Sequence, residues 1–599
     1  MKNPTQIALK GRAAGGKDLL IGHDVKYIYR RLWSYISHYK YFFLLAIILT
    51  VVSSILGITG TSLAGSAIGA IAKEDNDHSV WYYLCFMAIL YTVSALISYL
   101  LAVLMVKISQ SIVNKMRTDL YDKLVKLPVE FFDKKQAGEL VSTISYDINT
   151  VNESLSSDFI QIINSIVTVV YSFILMLTVS LQLITVFVFT IPLSIIFTKV
   201  ITKIVRPLFR RRSAALGEMN GYIEEMIAGH KVIKAYGRED EIIELFDEKN
   251  KAASEAYRIA EANGTMAGPS VGFINNLSLS LVNVVGALAY MGGTGLTIAG
   301  LSRFVLLSRK FSGPINQIAN IYADIQSALA AAERVFRLID ENPEAPDQED
   351  AKEISVKSGE VRFEGVKFGY TPERTVLKDL TFTAPAGGVV AIVGPTGAGK
   401  TTIINLLMRF YDINSGRILI DGDDIYSVKR DSLRKAYTMV LQETWLFRGT
   451  IRENLAYGRV GVTDAEIENA CRAAKIHSYI MSLPHGYDTV ISERGGNISK
   501  GQKQLLTIAR AMLIESNILI LDEATSNVDS KTEKDISDAM VSLMKNKTCF
   551  VIAHRLSTII NADKILVIKD GDVIEQGTHK ELIEMGGFYS ELYHSQFEA

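Results

Sequence analysis

Gly394-Pro395-Thr396-Gly397-Ala398-Gly399-Lys400-Thr401 fits the spacing G-x-x-x-x-G-K-[ST], and each residue type answers a demand of phosphate chemistry. Glycines let successive backbone N–H groups wrap phosphate oxygens. A lysine at the place of Lys400 reaches the β- and γ-phosphates, and the Thr401 hydroxyl can ligate Mg2+. The next residue, Thr402, belongs to a helix expected to run to Phe410, whose positive N-terminal end points at the anion. A second constellation lies downstream, where the apolar run Ile518–Leu521 ends in Asp522-Glu523. An aspartate there can hold Mg2+ through water, and the following carboxylate can polarise an attacking water. Two acids after a strand are often only a solvated strand end. Sharing a domain with a phosphate loop favours the chemical reading.

Elements must position these residues. Val389–Val393 reads as a buried strand leading into the loop, and 359–368 alternates like a strand. Ahead of them, 341–355 is acidic, contains Pro343 and Pro346, and reads as a linker. The expected organisation is an N-terminal cytoplasmic segment at 1–30, a transmembrane domain at 31–340, the linker, and a nucleotide-binding domain at 356–599.

The first half is apolar in long stretches. A bilayer span takes about 20 residues. No charge occurs between Lys40 and Lys73, from Val80 to Val106, between Asp158 and Lys199, or between Glu261 and Arg303. The two longest of these stretches each supply two spans, which turn near Ser180 and Gln182 and at Gly292, Gly293 and Gly295; the sixth span continues through Phe304 and Leu307 towards Pro314. An acidic loop, Glu74, Asp75 and Asp77, joins spans one and two. Lysines and arginines gather before span one, after span two and after span four, so the positive-inside rule places both termini in the cytoplasm. Segments 107–157 and 203–262 are charged and read as helices extending beyond the bilayer. Their turns, near Val129–Asp133 and Ala228–Val232, are candidate contacts with the soluble domain, although Phe131 and Phe132 equally suit the core of a helical hairpin. Spans read as free of buried charge disfavour a small-ion pump. Phe173, Met176, Phe187, Tyr290 and Met291 line a hydrophobic cavity, face lipid or pack the bundle.

Over the whole chain, 48% of the 599 residues are hydrophobic and the formal net charge is −1, which argues against a nucleic-acid partner. Cys85, Cys471 and Cys549 have neither metal-like nor redox-like spacing. The first thirty residues lack the apolar core of a signal peptide.

On these motifs the chain, from about Leu32 to its end, resembles an ATP-binding cassette exporter half-transporter of the type IV fold, the group that includes bacterial multidrug and lipid exporters. The fold implied is an all-α six-helix transmembrane domain followed by an α/β P-loop nucleotide-binding domain, with ATP and Mg2+ as cofactors. The resemblance makes Glu523 and His554 catalytic, His554 as the switch histidine that contacts the γ-phosphate. It makes Tyr370 the aromatic that stacks on adenine and Gln442 the Q-loop residue that joins Thr401 and Asp522 around Mg2+, Asp522 through water. Asn497-Ile498-Ser499-Lys500-Gly501-Gln502 resembles the signature motif, which in the family completes the ATP site of the opposite subunit. Ser526 and Asp529 match the D-loop, and Glu493-Arg494-Gly495 the segment that touches the coupling helices. Lys500 stands where the usual L-S-G-G-Q has its first glycine, and Ile498 where it has leucine. Some relatives are heterodimers in which one subunit keeps the catalytic glutamate beside an altered signature. That pattern favours a second, different half-transporter as partner over a homodimer.

The resemblance implies a cycle. Two ATP molecules between phosphate loop and facing signature close the nucleotide domains and open the membrane cavity outward; hydrolysis resets it. The expected activity is ATP-driven export of amphipathic or hydrophobic compounds by alternating access, from a bacterial plasma membrane. A lipid flippase and an ATP-gated channel on the same fold are the alternatives.

Overall fold

The computed structural model describes residues 25–72, 80–442, 444–492, 498–522, 529–552 and 559–597. The chain divides into a helical unit, Met1–Lys126 with Lys135–Glu341, and a mixed unit, Leu127–Lys134 with Asn342–Ala599.

In the helical unit, Val25–Ser37 precedes five helices that, among the described residues, are long and apolar enough to cross a membrane: Lys40–Ile71, Val80–Leu124, Ala137–Val179, Leu181–Ala228 and Glu239–Met291. Several run far past bilayer thickness, 45 residues in Val80–Leu124 and 48 in Leu181–Ala228, as the charged, helix-favouring segments anticipate. Ser180 is extended and turns one helix into the next. Gly293 and Gly295 take positive φ between Met291 and Ile298. The expected sixth span falls on Ile298–Asp340. It differs from the other five, because Arg303, Arg309 and Lys310 lie within its first thirteen residues. The reading of spans without buried charge is thereby corrected. Arg303 is half-buried against the first span, with a guanidinium nitrogen donating to Ser66 Oγ.

Small residues make that approach possible. A Cβ on Gly65 would stand 2.5 Å from the backbone nitrogen of Arg303, and one on Gly69 2.4 Å from Ala299 Cβ. The two helices therefore touch backbone to backbone, as in other small-xxx-small membrane interfaces. Beside this contact Ile58, Met176, Phe187, Phe304, Leu307 and Phe311 form one buried cluster. Of the aromatic and methionine residues considered for a cavity, Met176 and Phe187 are thus packing residues, while Tyr290 and Met291 are exposed. Further along Ile298–Asp340, Arg334 donates to both oxygens of the buried Asp147 at 2.9 and 2.6 Å, a bidentate pair that fixes the π-helical turn Thr143–Asp147.

The mixed unit contains β1 (Val361–Phe368), β2 (Leu377–Ala384), β3 (Val389–Val393), β4 (Ser415–Ile420), β5 (Asp423–Asp424), β6 (Tyr437–Val440), β7 (Gly449–Thr450), β8 (Val490–Ile491), β9 (Ile518–Asp522), β10 (Thr548–Ile552), β11 (Lys564–Lys569) and β12 (Asp572–Gly577). An antiparallel sheet has the order β2-β1-β4-β5, and a larger one β12-β11-β3-β10-β9-β6. The larger sheet is parallel except for β12 at its edge. Its inner strands are continuous apolar runs because both faces are covered; every residue of β10 is buried. β1 starts two residues later than the alternation implies, since Gly359, at φ 78°, turns the chain before the ladder begins.

The acidic linker is tied down. Glu344 forms an ion pair with Arg434, Asp347 accepts from the Arg430 backbone at 3.1 Å, and Lys352 bridges to Val428. Helix Val129–Lys134 also belongs to this unit, with Tyr411 Oη donating to Asp133 at 2.5 Å. Phe132 is exposed there and Phe131 half-buried, so neither is the core of a hairpin.

Candidate functional site

The register of the large sheet explains why distant motifs share one edge. Ile552 of β10 stands beside Ile392 on one side and Asp522 on the other, and Leu521 stands beside Val440. The carboxyl ends of β3, β9 and β6 therefore lie level. The loops that leave them carry the phosphate-loop motif, Asp522 and Gln442. Parallel α/β sheets bind ligands at such an edge.

The loop 394–401 bridges β3 and the helix Lys400–Leu407. Its glycines are demanded by the geometry. A Cβ on Gly394 would lie 2.2 Å from the Ile568 carbonyl oxygen, so the loop sits flush on β11. Gly399, at φ 106°, starts the helix in the left-handed region, and a Cβ there would meet Leu377 at 2.9 Å. The helix begins at Lys400 rather than Thr402 because Gly399 makes the turn. It ends before Phe410 because Arg409 is left-handed at φ 50°. Lys400 Nζ donates to the carbonyls of Gly394 and Pro395, both at 2.9 Å, and so reaches across the loop's concave side. Burial lowers its pKa, and the nearby Asp522 carboxylate opposes that shift. Pro395, Thr396 and Gly397 are exposed, as is Thr401, whereas Ala398 and Thr402 are buried.

Tyr370 stands beside the loop. Its hydroxyl is 3.2 Å from Thr402 Oγ1 and accepts from Asn405 Nδ2 at 3.4 Å. Its ring is 38% exposed and meets Phe368 and Tyr411 edge-on at 4.9 and 5.0 Å, which holds the ring and leaves a face for a planar base. Gln442 is exposed two residues beyond β6, and Asp522 is half-buried at the end of β9.

Ser499 is built differently. It caps the helix Lys500–Met512 in a capping box, accepting from Gln502 N at 3.3 Å while Gln502 Oε1 accepts from Ser499 N at 3.0 Å. Ile498 is buried, Gly501 is buried, and Lys500 is exposed. The helix packs into a core with Ile467, Ile480 and Leu521, whereas Ala398 and Ile404 belong to a separate core with Leu377 and Ile568. Asp529 caps Ser530–Met544 through Thr532 N at 3.0 Å, a hydrogen bond that lowers its pKa. Glu523, His554, Ser526, Glu493–Gly495 and Asn497 lie outside the described residues.

Two positioning contacts carry no motif. Arg510, in the last turn of the Ser499-capped helix, donates to Asn454 O at 2.7 Å and Trp445 O at 3.1 Å, and so ties that helix to the segment after Gln442. Burial lowers its pKa. Tyr411 reaches Asp133 from a turn with no sequence signature.

A phosphate loop on a parallel sheet, joined in one chain to a bundle of membrane-length helices, defines a nucleotide-driven membrane protein. The family model described as ABC transporter transmembrane region matches residues 43–315, and that described as ABC transporter matches residues 377–526. The chain is 43% identical to the ABC transporter ATP-binding protein YfiC of Bacillus subtilis, over 98% of this chain and 96% of that one. It is 44% identical to a fatty acid ABC transporter ATP-binding/permease protein of Mycobacterium bovis, over 83% and 80%. A solved structure of a bacterial Atm1-family ABC exporter with ATP bound superposes with a TM-score of 0.74 at 30% identity, covering 93% of this chain and 98% of that one. The chain belongs to the ATP-binding cassette exporters, as a half-transporter of type IV fold that hydrolyses ATP. It is a multi-pass membrane protein, and exporters of this family work as dimers.

Proposed function

We propose that this chain, paired with a second half-transporter, drives export of amphipathic or hydrophobic compounds by alternating access. One observation carries the pairing. The phosphate loop and Ser499 are built into separate cores of the mixed unit, so each chain offers two incomplete halves of an ATP site. Gly394–Thr402 and Tyr370 hold the nucleotide, with Ser499, Gly501 and Gln502 of the other chain facing its γ-phosphate. Hydroxyl, carboxylate and amide oxygens suit Mg2+: Thr401, Gln442 and Asp522 would hold it, Asp522 through water, and the ion would neutralise charge on the β- and γ-phosphates. Glu523 orients the attacking water, His554 contacts the γ-phosphate, and Ser526 and Asp529 lie in the D-loop. Lys500, exposed at a glycine position, supports a heterodimer in which this chain supplies the intact Walker residues. The basic loops support cytoplasmic termini, and the similarity to Bacillus and Mycobacterium proteins supports a bacterial plasma membrane. The domain limits 31–340 and 356–599 are part of the same reading.

A lipid substrate is the second reading, favoured by the 44% identity to a protein named as a fatty acid transporter. Proteoliposomes of the purified complex decide between them. ATP-dependent movement of a fluorescent dye marks a multidrug exporter, and movement of a labelled lipid alone marks a lipid exporter. Glu523→Gln should bind ATP and lose at least about 100-fold in turnover; near-normal turnover with the natural partner present sinks the assignment.

A further inference from the structure

The helix Val25–Ser37 is fastened along one flank and roofs a cavity with the other. On the fastened flank the Tyr27 hydroxyl donates to Asp340, the last residue of Ile298–Asp340, and the Arg31 guanidinium donates to the same carboxylate at 2.7 Å. Tyr35 stacks on Phe336, with ring centroids 6.0 Å apart, and donates to Asp119 at 2.9 Å. At about 100° per residue, Tyr29, Leu32, Trp33 and Ile36 fall together opposite Tyr27 and Arg31. These four line a cavity of about 410 Å3 with Phe43 and Phe159, which meet edge-on at 5.5 Å. Because its roof is tied down, the cavity is preformed, and its volume lies within the range of about 300–1,000 Å3 usual for small-ligand sites.

The lining limits what can fill it. It carries one cation, Lys40, and no Asp or Glu. Ordered water needs about two to four polar partners, which aliphatic and phenyl side chains do not offer. An unfilled apolar space forfeits the dispersion contacts of its walls. Position narrows the choice further. Lys40 opens the first span, and the lining residue Ile47 lies seven residues on, about 10 Å deeper. Phe159 and the lining residue Ile162 begin the uncharged stretch that runs from Asp158 to Lys199. The cavity therefore opens at the membrane interface and ends in hydrocarbon. Its mouth is marked by cations and aromatics. Segment 25–40 contains Lys26, Arg30, Arg31 and Lys40 and no acidic residue. Arg30, one turn before Trp33, is exposed, as is Lys40. Tyr29 and Trp33 are also exposed, as aromatic residues at headgroup level are. The occupant that matches is apolar in its tail and anionic at the interface.

We propose that this cavity binds one acyl chain of an anionic phospholipid, with Arg30 and Lys40 holding its phosphate, as a resident lipid of the membrane domain distinct from the exported compound. The test uses the full transporter with its partner in phosphatidylcholine nanodiscs. Phosphatidylglycerol and phosphatidylcholine probes, each with a photoreactive diazirine near the tail end, are titrated in and illuminated, and labelled peptides are mapped by mass spectrometry. Labelling of residues 29–47 and 151–162 should saturate. At Leu96, Tyr99 and Leu100, exposed on the second span, it should rise in proportion to the probe, as for bulk lipid. The glycerol probe should half-saturate the cavity at a mole fraction at least about fivefold below the choline probe, as two cations near an anionic headgroup imply. R30Q/K40Q should bring the two probes together, and R30K/K40R should keep them apart. Ala328→Phe, which fills the cavity from the sixth helix, should remove the saturable labelling and spare the second span. No saturable labelling in the wild type, equal half-saturation by the two probes, or wild-type labelling of the filled variant overturns the proposal. The wild-type comparison decides by itself, so a variant that fails to fold does not blunt the test.

Discussion

The carbonyls of Gly394 and Pro395 hold the Lys400 ammonium over the concave side of the loop. A cation fixed in place meets anionic phosphate oxygens at less cost in side-chain entropy than a free one. Lys400→Ala should weaken MgATP binding about 30- to 100-fold, the effect of one or two kcal/mol beyond a neutral hydrogen bond; isothermal titration checks it, and unchanged affinity rejects the role. Asp421 shows the same chemistry in a structural setting. Burial pushes its pKa up, but the Ser358 hydroxyl and backbone N–H groups of the preceding turn outweigh that and hold it at about 2. A carboxylate with a depressed folded pKa stabilises above the ordinary carboxylate range and loses that contribution as pH falls through it. The difference in apparent Tm between the wild type and Asp421→Asn should thus be constant from about pH 5 to 7 and shrink between about pH 4 and 2.

Helix starts separate stability from chemistry at the scale of elements. Ser499 and Thr463 both cap helices with reciprocal boxes, to Gln502 and Glu466. Each cap lost to alanine should cost about 1 kcal/mol. Thr463→Ala should lower thermal stability and spare ATPase activity. Ser499→Ala should lower stability by a similar amount and, on the proposed arrangement in which its hydroxyl faces the opposite ATP site, also depress hydrolysis. Equal activity of the two variants would remove Ser499 from the site. The helices of the membrane unit follow a different logic, since lipid gives no hydrophobic drive to associate. Gly65 and Gly69 supply contact area by close approach instead.

Across the whole molecule, the two activities must be linked by segments that belong to one unit in space and the other along the chain. Leu127–Lys134 is such a segment, flanked by helical-unit residues yet packed in the mixed unit, with Tyr411 Oη bonded to Asp133. Burial raises the Tyr411 pKa and the Asp133 carboxylate reinforces it, so the phenol stays a donor at neutral pH. Tyr411→Phe should keep ATPase activity in detergent within about twofold while transport per ATP falls, because one hydrogen bond of about 1 kcal/mol is lost at the joint and not at the nucleotide. Counting exported substrate against released phosphate measures it, and an unchanged ratio excludes the contact from coupling.

The phosphate loop, its flanking strand and helix, and the uncharged helices were legible because each is local: eight contiguous residues, or one run of composition, carry the whole signal. The linker's composition was legible too, but not the pairing of Glu344 and Asp347 that anchors it. What joins distant residues was hidden. Arg334 meets Asp147 across 187 positions, Arg303 meets Ser66 across 237, and Tyr411 meets Asp133 across 278. The sequence by itself determined which residues can hold a triphosphate and which stretches can enter lipid, since bond geometry and transfer energy act residue by residue. Only the tertiary structure decided that Asp522 and Gln442 share an edge with Lys400, and that Arg303 meets Ser66 of the first span. Strand register and helix facing are set by burial of the whole surface, which no short segment encodes.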